Sequence, residues 1–420
     1  MSEHATNGSR RNGDGTALPR FISVDDHVVE PLDLWQSRLP AKLRAEGPRA
    51  VRERGQVVYD ITRTLNWVPG DGPEDRWCDV WYYEDTKWPL HASYAAVGPT
   101  AGLPASTALS YDDILPGCFD QPARLADMDL NHTEASLCFP TVTRFCGQLF
   151  LDRRDPDLAL RCVEAYNDWM IEDWCGGDGR GRLIPLTLVP LWDAALAAAE
   201  VRRCAELGAH AVAFSENPSA LGLPSIHTDE WEPFFAACAE TETVINMHIG
   251  SSSSFSMTSP GAPAIALVAL TSENSVHALI DWLLCGALAR HPALKIALSE
   301  SQVGWMPFIL ERLDSAWRRS ASYEPEIYER VPEPPSSYLP GRVFACVFDD
   351  LVGLANREQI GMGQIMFETD YPHADSTFPE SLAVAESLVA EASLSAEEAR
   401  RFVRTNAIAC YGLERFGISA

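Results

Sequence analysis

The run Ile22-Ser-Val-Asp-Asp-His27 carries Asp25 and His27 two residues apart at its end. Side chains alternate along a strand, so this spacing sends both to one face as a chelating pair, while Asp26 points the other way and stays outside the candidate ligand set. A second histidine, His248, closes Val244-Ile-Asn-Met-His and is followed by Ile-Gly and four serines. Asp370 closes Ile365-Met-Phe-Glu-Thr-Asp and is followed by Tyr-Pro-His373. Two imidazoles and two carboxylates suit one divalent transition metal, zinc first, with manganese or iron as alternatives. They leave a coordination position for water or substrate. Each residue alone reads more readily as a strand-end cap; agreement at three strand ends is what points to a metal.

Positioning these groups requires strands, and eight short apolar runs bounded by turn formers supply them: residues 21–27, 135–141, 183–190, 209–215, 244–249, 294–299, 343–348 and 364–369. Helical patterns lie between most of them, at 157–174, 192–207, 228–240, 264–290, 303–319 and 378–388, with a further helix around Arg124–Leu130. Strands alternating with helices imply parallel pairing, and eight such units close a (β/α)8 TIM barrel, with active-site groups at the C-terminal strand ends. No glycine-rich phosphate loop follows any strand, so the usual reason for an open nucleotide-binding sheet is missing. We expect one barrel domain over residues 21–415, preceded by a disordered tail at 1–20. The first strand is followed by an irregular insertion at about 31–122 that carries Trp35, Trp67, Trp77, Trp81 and Trp88. An insertion there falls on the catalytic face as a lid or substrate wall, or buries its aromatics against the barrel or a second subunit. A Pro-rich loop at 325–340 is expected on the same face.

Of the 420 residues, 46% are hydrophobic and 22% charged, as in a soluble globular protein, and the formal net charge is −26. So acidic a chain is unsuited to nucleic acid, whose binding is driven by Lys and Arg displacing counterions. No apolar run is long enough for a membrane span, and the first twenty residues hold no signal-peptide core. Eleven cysteines are scattered singly without a C-x-x-C pair, which fits reduced thiols in a cytoplasm. A nuclease or phosphatase would need basic residues near the site, and these motifs offer none.

Taken together, Asp25-x-His27, Arg124-Leu-Ala-Asp-Met-Asp129, His248-Ile-Gly, Gly304-Trp-Met-Pro-Phe-Ile-Leu-Glu-Arg312 and Thr369-Asp-Tyr-Pro-His373 resemble the amidohydrolase-related superfamily of the amidohydrolase 2 type. Within it they resemble the branch of aminocarboxymuconate-semialdehyde and resorcylate-type decarboxylases, over about residues 21–412. It implies a distorted (β/α)8 barrel, metal ligands at Asp25, His27, His248 and Asp370, and a homodimer acting on a small molecule. Relatives carry His-x-His or a carboxylate in the first position, and Asp25 follows the second pattern. The chain departs from the decarboxylases at the sixth strand, where they carry a histidine and this sequence reads Ala297-Leu-Ser-Glu300-Ser301. Glu300, or Ser301 one residue on, would take that place. A carboxylate can carry a proton but cannot offer positive charge to a substrate carboxylate, which turns the expected reaction toward hydrolysis by metal-activated water, with Glu300 as base. Non-oxidative decarboxylation of an aromatic or related acid is the alternative, and a catalytically silent metabolite-binding barrel the second. His373 is expected to meet substrate or a nearby water; Glu30 and His277 are weaker candidates, one closing a turn and the other within a helix.

Overall fold

All eight apolar runs form strands and pair in parallel. The computed structural model describes residues 17–59, 65–151, 153–259 and 261–420. In chain order the strands are β1 (Phe21–Val28), four strands of the insertion, β2 (Arg49–Tyr59), β3 (Leu65–Pro69), β4 (Arg76–Tyr83) and β5 (Thr86–Pro89), then β6 (Thr133–Pro140), β7 (Leu183–Ile184), β8 (Leu186–Thr187), β9 (Ala211–Ala213), β10 (Val244–His248), β11 (Ile296–Ser299), β12 (Val343–Val347) and β13 (Ile365–Phe367). One sheet runs β1-β6-β7 and another β8-β9-β10-β11-β12-β13. Between β7 and β8 lies only Pro185, which has no N–H for a ladder, so one run pairs with β6 through its first half and β9 through its second. At the other edge, Asp370 N donates to Asp25 O (3.0 Å) and His27 N to Tyr371 O (2.6 Å), bringing the segment after β13 back onto β1. Eight strand positions therefore surround one core, the distorted barrel expected. Its strands are buried on both faces, which is why they read as continuous apolar runs rather than alternating ones.

Helices start where capping chemistry permits. Asp120, Asp155 and Asp193 accept backbone N–H groups at the starts of Gln121–Leu130, Pro156–Trp169 and Ala194–Glu206, and the first two helices also place a proline in the first turn. The helix expected at 264–290 is instead three pieces, Ala264–Ala269, Glu273–Leu284 and Ala287–Arg290. Thr271 Oγ1 takes the Val268 carbonyl from the preceding turn, and Gly286 adopts a positive φ of 82° between the last two pieces.

The insertion is not irregular. It folds an antiparallel sheet in the order β3-β2-β4-β5, with its own small core of Val57, Trp67, Cys78, Val80 and Ala108. Trp35 and Trp81 are buried and pack edge to face (5.4 Å, 82°), while Trp77 remains exposed. The Pro-rich loop at 325–340 leads from the helix Met306–Arg319 into the start of β12 and therefore lies at the N-terminal end of the strands, opposite the catalytic face expected for it. Of the segment 1–20, residues 1–16 lie outside the described residues. Leu18 is buried and Arg20 pairs with Asp129, so packing onto the barrel begins ahead of residue 21. All eleven cysteines are free and buried, and no described helix is long and apolar enough to cross a membrane.

Candidate metal centre

The C-terminal ends of β1, β10, β11 and β13 converge. His27 Nε2 lies 3.6 Å from Asp25 Oδ1, 3.2 Å from Asp370 Oδ1 and 3.2 Å from His248 Nε2. His248 Nε2 is 3.5 Å from Asp25 Oδ2 and 3.6 Å from Glu300 Oε2. The structure thus brings Asp25, His27, His248, Asp370 and Glu300 together, with His373 against the group: its ring stacks on His27 (3.5 Å, 17°) and its Nδ1 is 3.5 Å from Asp370 Oδ1. Glu300 and Asp370 have φ of 55° and 50°, a left-handed conformation uncommon outside glycine, where the chain leaves its strand. His277 is exposed on its helix.

Local contacts aim these donors. His248 Nδ1 faces the Ile249 carbonyl at 2.6 Å; donating there leaves its Nε2 lone pair toward the cluster, and Phe145 stacks on the same ring (4.3 Å, 8°). Burial, then the neighbouring carboxylates, holds Asp25 and Asp370 well above the usual carboxylate range, and Glu300 likewise. Burial depresses His248 to about 4 and pushes His27 and His373 well down, with the other histidines adding to the effect. Neutral imidazole is the ligand form, and the crowded carboxyls are what a cation would ionise. Both oxygens of Asp25 and of Asp370 are buried without a hydrogen-bond donor opposite them among the described residues, and Nδ1 of His27 is buried with neither donor nor acceptor opposite it. Unpartnered buried carboxyls are costly in a protein interior, and here Asp25 groups with His27 and His248, and Asp370 with His27 and His373, each group's donor atoms lying within 4.8 Å of one another. The donor set fits a divalent transition metal.

A cavity of about 680 Å³ meets this cluster at His373 and Phe145. Trp88 and Tyr94 of the insertion form one wall, stacked at 5.9 Å, and Phe255 contributes to another. Arg144 also lines it; its guanidinium lies over Trp88 at 5.4 Å and donates to Ser253 Oγ (2.7 Å). The insertion is therefore a wall of the cavity, while its tryptophans Trp35 and Trp81 also bury it against the barrel.

The sequence pattern of the amidohydrolase family matches residues 77–413. The chain belongs to that family. No curated protein matches it. Among solved structures, an amidohydrolase from Mycobacterium avium subsp. paratuberculosis K-10 is 22% identical, with a TM-score of 0.65 over 94% of this chain and 99% of that one. The 5-carboxyvanillate decarboxylase of Novosphingobium aromaticivorans, solved with manganese and a nitrobenzoic acid, is 21% identical, with a TM-score of 0.57 over 72% and 84%. The dihydroxybenzoic acid decarboxylase of Polaromonas sp. JS666, solved with manganese and 2-nitroresorcinol, is 16% identical, with a TM-score of 0.58 over 95% and 98%. At these identities the likeness establishes the shared fold, and the family resemblance read from the motifs is borne out.

In this amidohydrolase several residues hold the donor-bearing strands. Asp26, aimed away from the cluster as expected, accepts from Ser23 Oγ, Thr369 Oγ1, Tyr371 N and Ser136 Oγ, tying β1 to β6 and to the segment after β13. Glu30 is more than a turn residue: its carboxylate accepts from the backbone N–H groups of Thr141, Val142 and Thr143 and anchors the loop after β6. Arg124 is fully buried and donates to the His27 carbonyl (2.5 Å) and the Gly117 carbonyl (2.7 Å). Sequence reasoning missed Glu368 and Cys346, which lie beside Asp25. Glu368 stands two residues before Asp370, the same spacing that identified Asp25 with His27, so a signal was present.

Proposed function

We propose that this amidohydrolase catalyses metal-dependent, non-oxidative decarboxylation of an aromatic or related planar carboxylic acid. Asp25, His27, His248 and Asp370 would hold one divalent cation. The observation that carries this reading is the junction of a buried two-imidazole, two-carboxylate donor set with an aromatic-walled cavity lined by Arg144. Two structural neighbours are decarboxylases of substituted benzoic acids solved with manganese, which supports manganese as the first ion to test, beside the zinc expected from sequence. A cation bound there supplies charge stabilisation to the substrate oxygen it meets. The chain's own groups do the rest. Arg144 offers a guanidinium to an anionic substrate in a protein of net charge −26. Trp88, Tyr94 and Phe145 receive a flat ring and keep water from it. As the bond between ring carbon and carboxyl breaks, its electron pair stays on the ring carbon and takes up a proton. Glu300 delivers that proton and recovers one from water.

Hydrolysis, placed first on sequence grounds, remains the second reading, and one observation favours it: a carboxylate, Glu300, stands within 3.6 Å of His248 where a decarboxylase histidine was expected. The test is to load the enzyme with manganese or zinc and offer hydroxylated benzoic acids labelled in the carboxyl carbon, alongside esters, amides and lactones of the same rings. Labelled carbon dioxide with a new C–H bond, carrying deuterium when run in deuterium oxide, is the expected result. Ring-acid release from the esters or lactones without carbon dioxide would replace it with hydrolysis.

A further inference from the structure

Beneath the proposed cation site, Asp25, Cys346 on β12 and Glu368 just past β13 bring a carboxylate oxygen, a sulfur and a second carboxylate oxygen within 4.8 Å of one another. We infer that this group would hold a second cation, with Asp25 shared between it and the first site. The inference rests on the first site being a metal site.

Two independent observations point to a ligand. Glu368 is fully buried, and among the described residues its Oε1 meets no N–H or O–H donor, with the Asp25 carboxyl in hydrogen-bond reach of the Glu368 side chain; its Oε2 accepts from Glu300 N (3.1 Å) and from Cys346 Sγ (2.5 Å). Charge balance gives the second. Asp25, Glu300, Glu368 and Asp370 crowd one buried region, and among the described residues the ionic contacts of these carboxylates are with imidazoles, never with Lys or Arg. Arg124, the buried guanidinium behind β1, donates instead to two backbone carbonyls and to Cys138 Sγ on β6. With Cys346 ionised the region carries five negative charges, of which one divalent ion offsets two and a second offsets two more. A thiolate beside carboxylates selects a borderline ion such as zinc or cobalt over magnesium or calcium.

Cobalt is the probe, because a thiolate ligand gives a charge-transfer absorption in the near ultraviolet that oxygen and nitrogen ligands do not. Metal-free full-length protein is titrated with cobalt(II), and bound metal is counted after removal of excess. We expect two ions per chain and the charge-transfer band. Cys346→Ser should lose the band, and Glu368→Gln should bind one ion while keeping the first. One ion per chain without the band would overturn the second site and leave protons shared between Asp25 and Glu368 to balance the charge, with the first site intact. Two ions without the band, or a band that survives Cys346→Ser, would place the second ion elsewhere and equally overturn the assignment. No bound cobalt at all would remove both sites.

Discussion

At the scale of single residues, ligands and proton carriers should separate cleanly on substitution. His248→Ala and Asp370→Ala each remove a donor from a cluster whose other members stay in place, so we predict loss of the first-site metal with the fold retained, read as one ion fewer per chain by elemental analysis beside circular dichroism. Glu300→Gln keeps the side-chain shape and leaves the four first-site donors untouched. We predict retained first-site metal with turnover reduced about 10²–10⁴-fold, the usual contribution of a positioned acid or base. Unchanged turnover would make Glu300 a structural carboxyl. Much of this site was legible because a strand's two-residue period turns spacing into direction: Asp25 and His27 fall on one side and Asp26 on the other, as the hydrogen bonds of Asp26 show. The same rule applied to Glu368 and Asp370 would have found Glu368. Its nearness to Cys346 and Asp25 was not legible, since it depends on how β12, β13 and β1 come together around the barrel.

At the scale of elements, buried parallel strands announced themselves and surface strands did not. β2 reads Arg49-Ala-Val-Arg-Glu-Arg-Gly-Gln-Val-Val-Tyr59, with four charged residues among eleven, because it pairs on both edges while much of its surface meets water. The β4–β5 hairpin turns at Glu84-Asp85, with Glu84 at a φ of 48°, and so lacks the Asn-Gly or Asp-Gly pair that marks such turns in sequence. The C-terminal helices hold a device with a definite pH dependence. Ser395 and Glu398 form a capping box at Ala396–Arg400, and Arg357 reaches Glu398 through Nε (2.6 Å) and Nη2 (3.3 Å). Arg357, then the Ser395 contacts, holds the Glu398 carboxyl down at about 2, against an ordinary value of 4.5. A depressed carboxyl contributes stability that is fully present above its unfolded value and lost as pH falls through the folded one. Glu398→Gln should therefore lower Tm near neutral pH, and the gap from wild type should narrow as pH falls from 4.5 toward 2. A gap independent of pH would assign the loss to packing.

At the scale of the whole molecule, the question is whether the insertion is a separate unit or part of the barrel, and Trp35 decides it. This residue sits in the short helix Leu34–Arg38 at the insertion's start and is fully buried. Its Nε1 donates to the Cys162 carbonyl (3.0 Å) on the barrel helix Pro156–Trp169, while its ring meets Trp81 of β4 and Phe150 of the loop after β6. One side chain thus joins the insertion's sheet to a barrel helix, and Trp81 and Tyr83 belong to the same continuous core as the barrel strands. A shared core unfolds together, because neither part can expose its face without exposing the other's. We predict a single urea transition, coincident by tryptophan fluorescence and far-ultraviolet circular dichroism. Trp35→Ala should lower stability by about 3–5 kcal/mol, the cost of emptying a large buried aromatic site. It should also loosen the cavity wall that carries Trp88 and Tyr94, raising KM more than it lowers kcat. An early transition confined to fluorescence in the wild type would mean that the insertion unfolds on its own, and the cavity wall would then be a movable part rather than a fixed one.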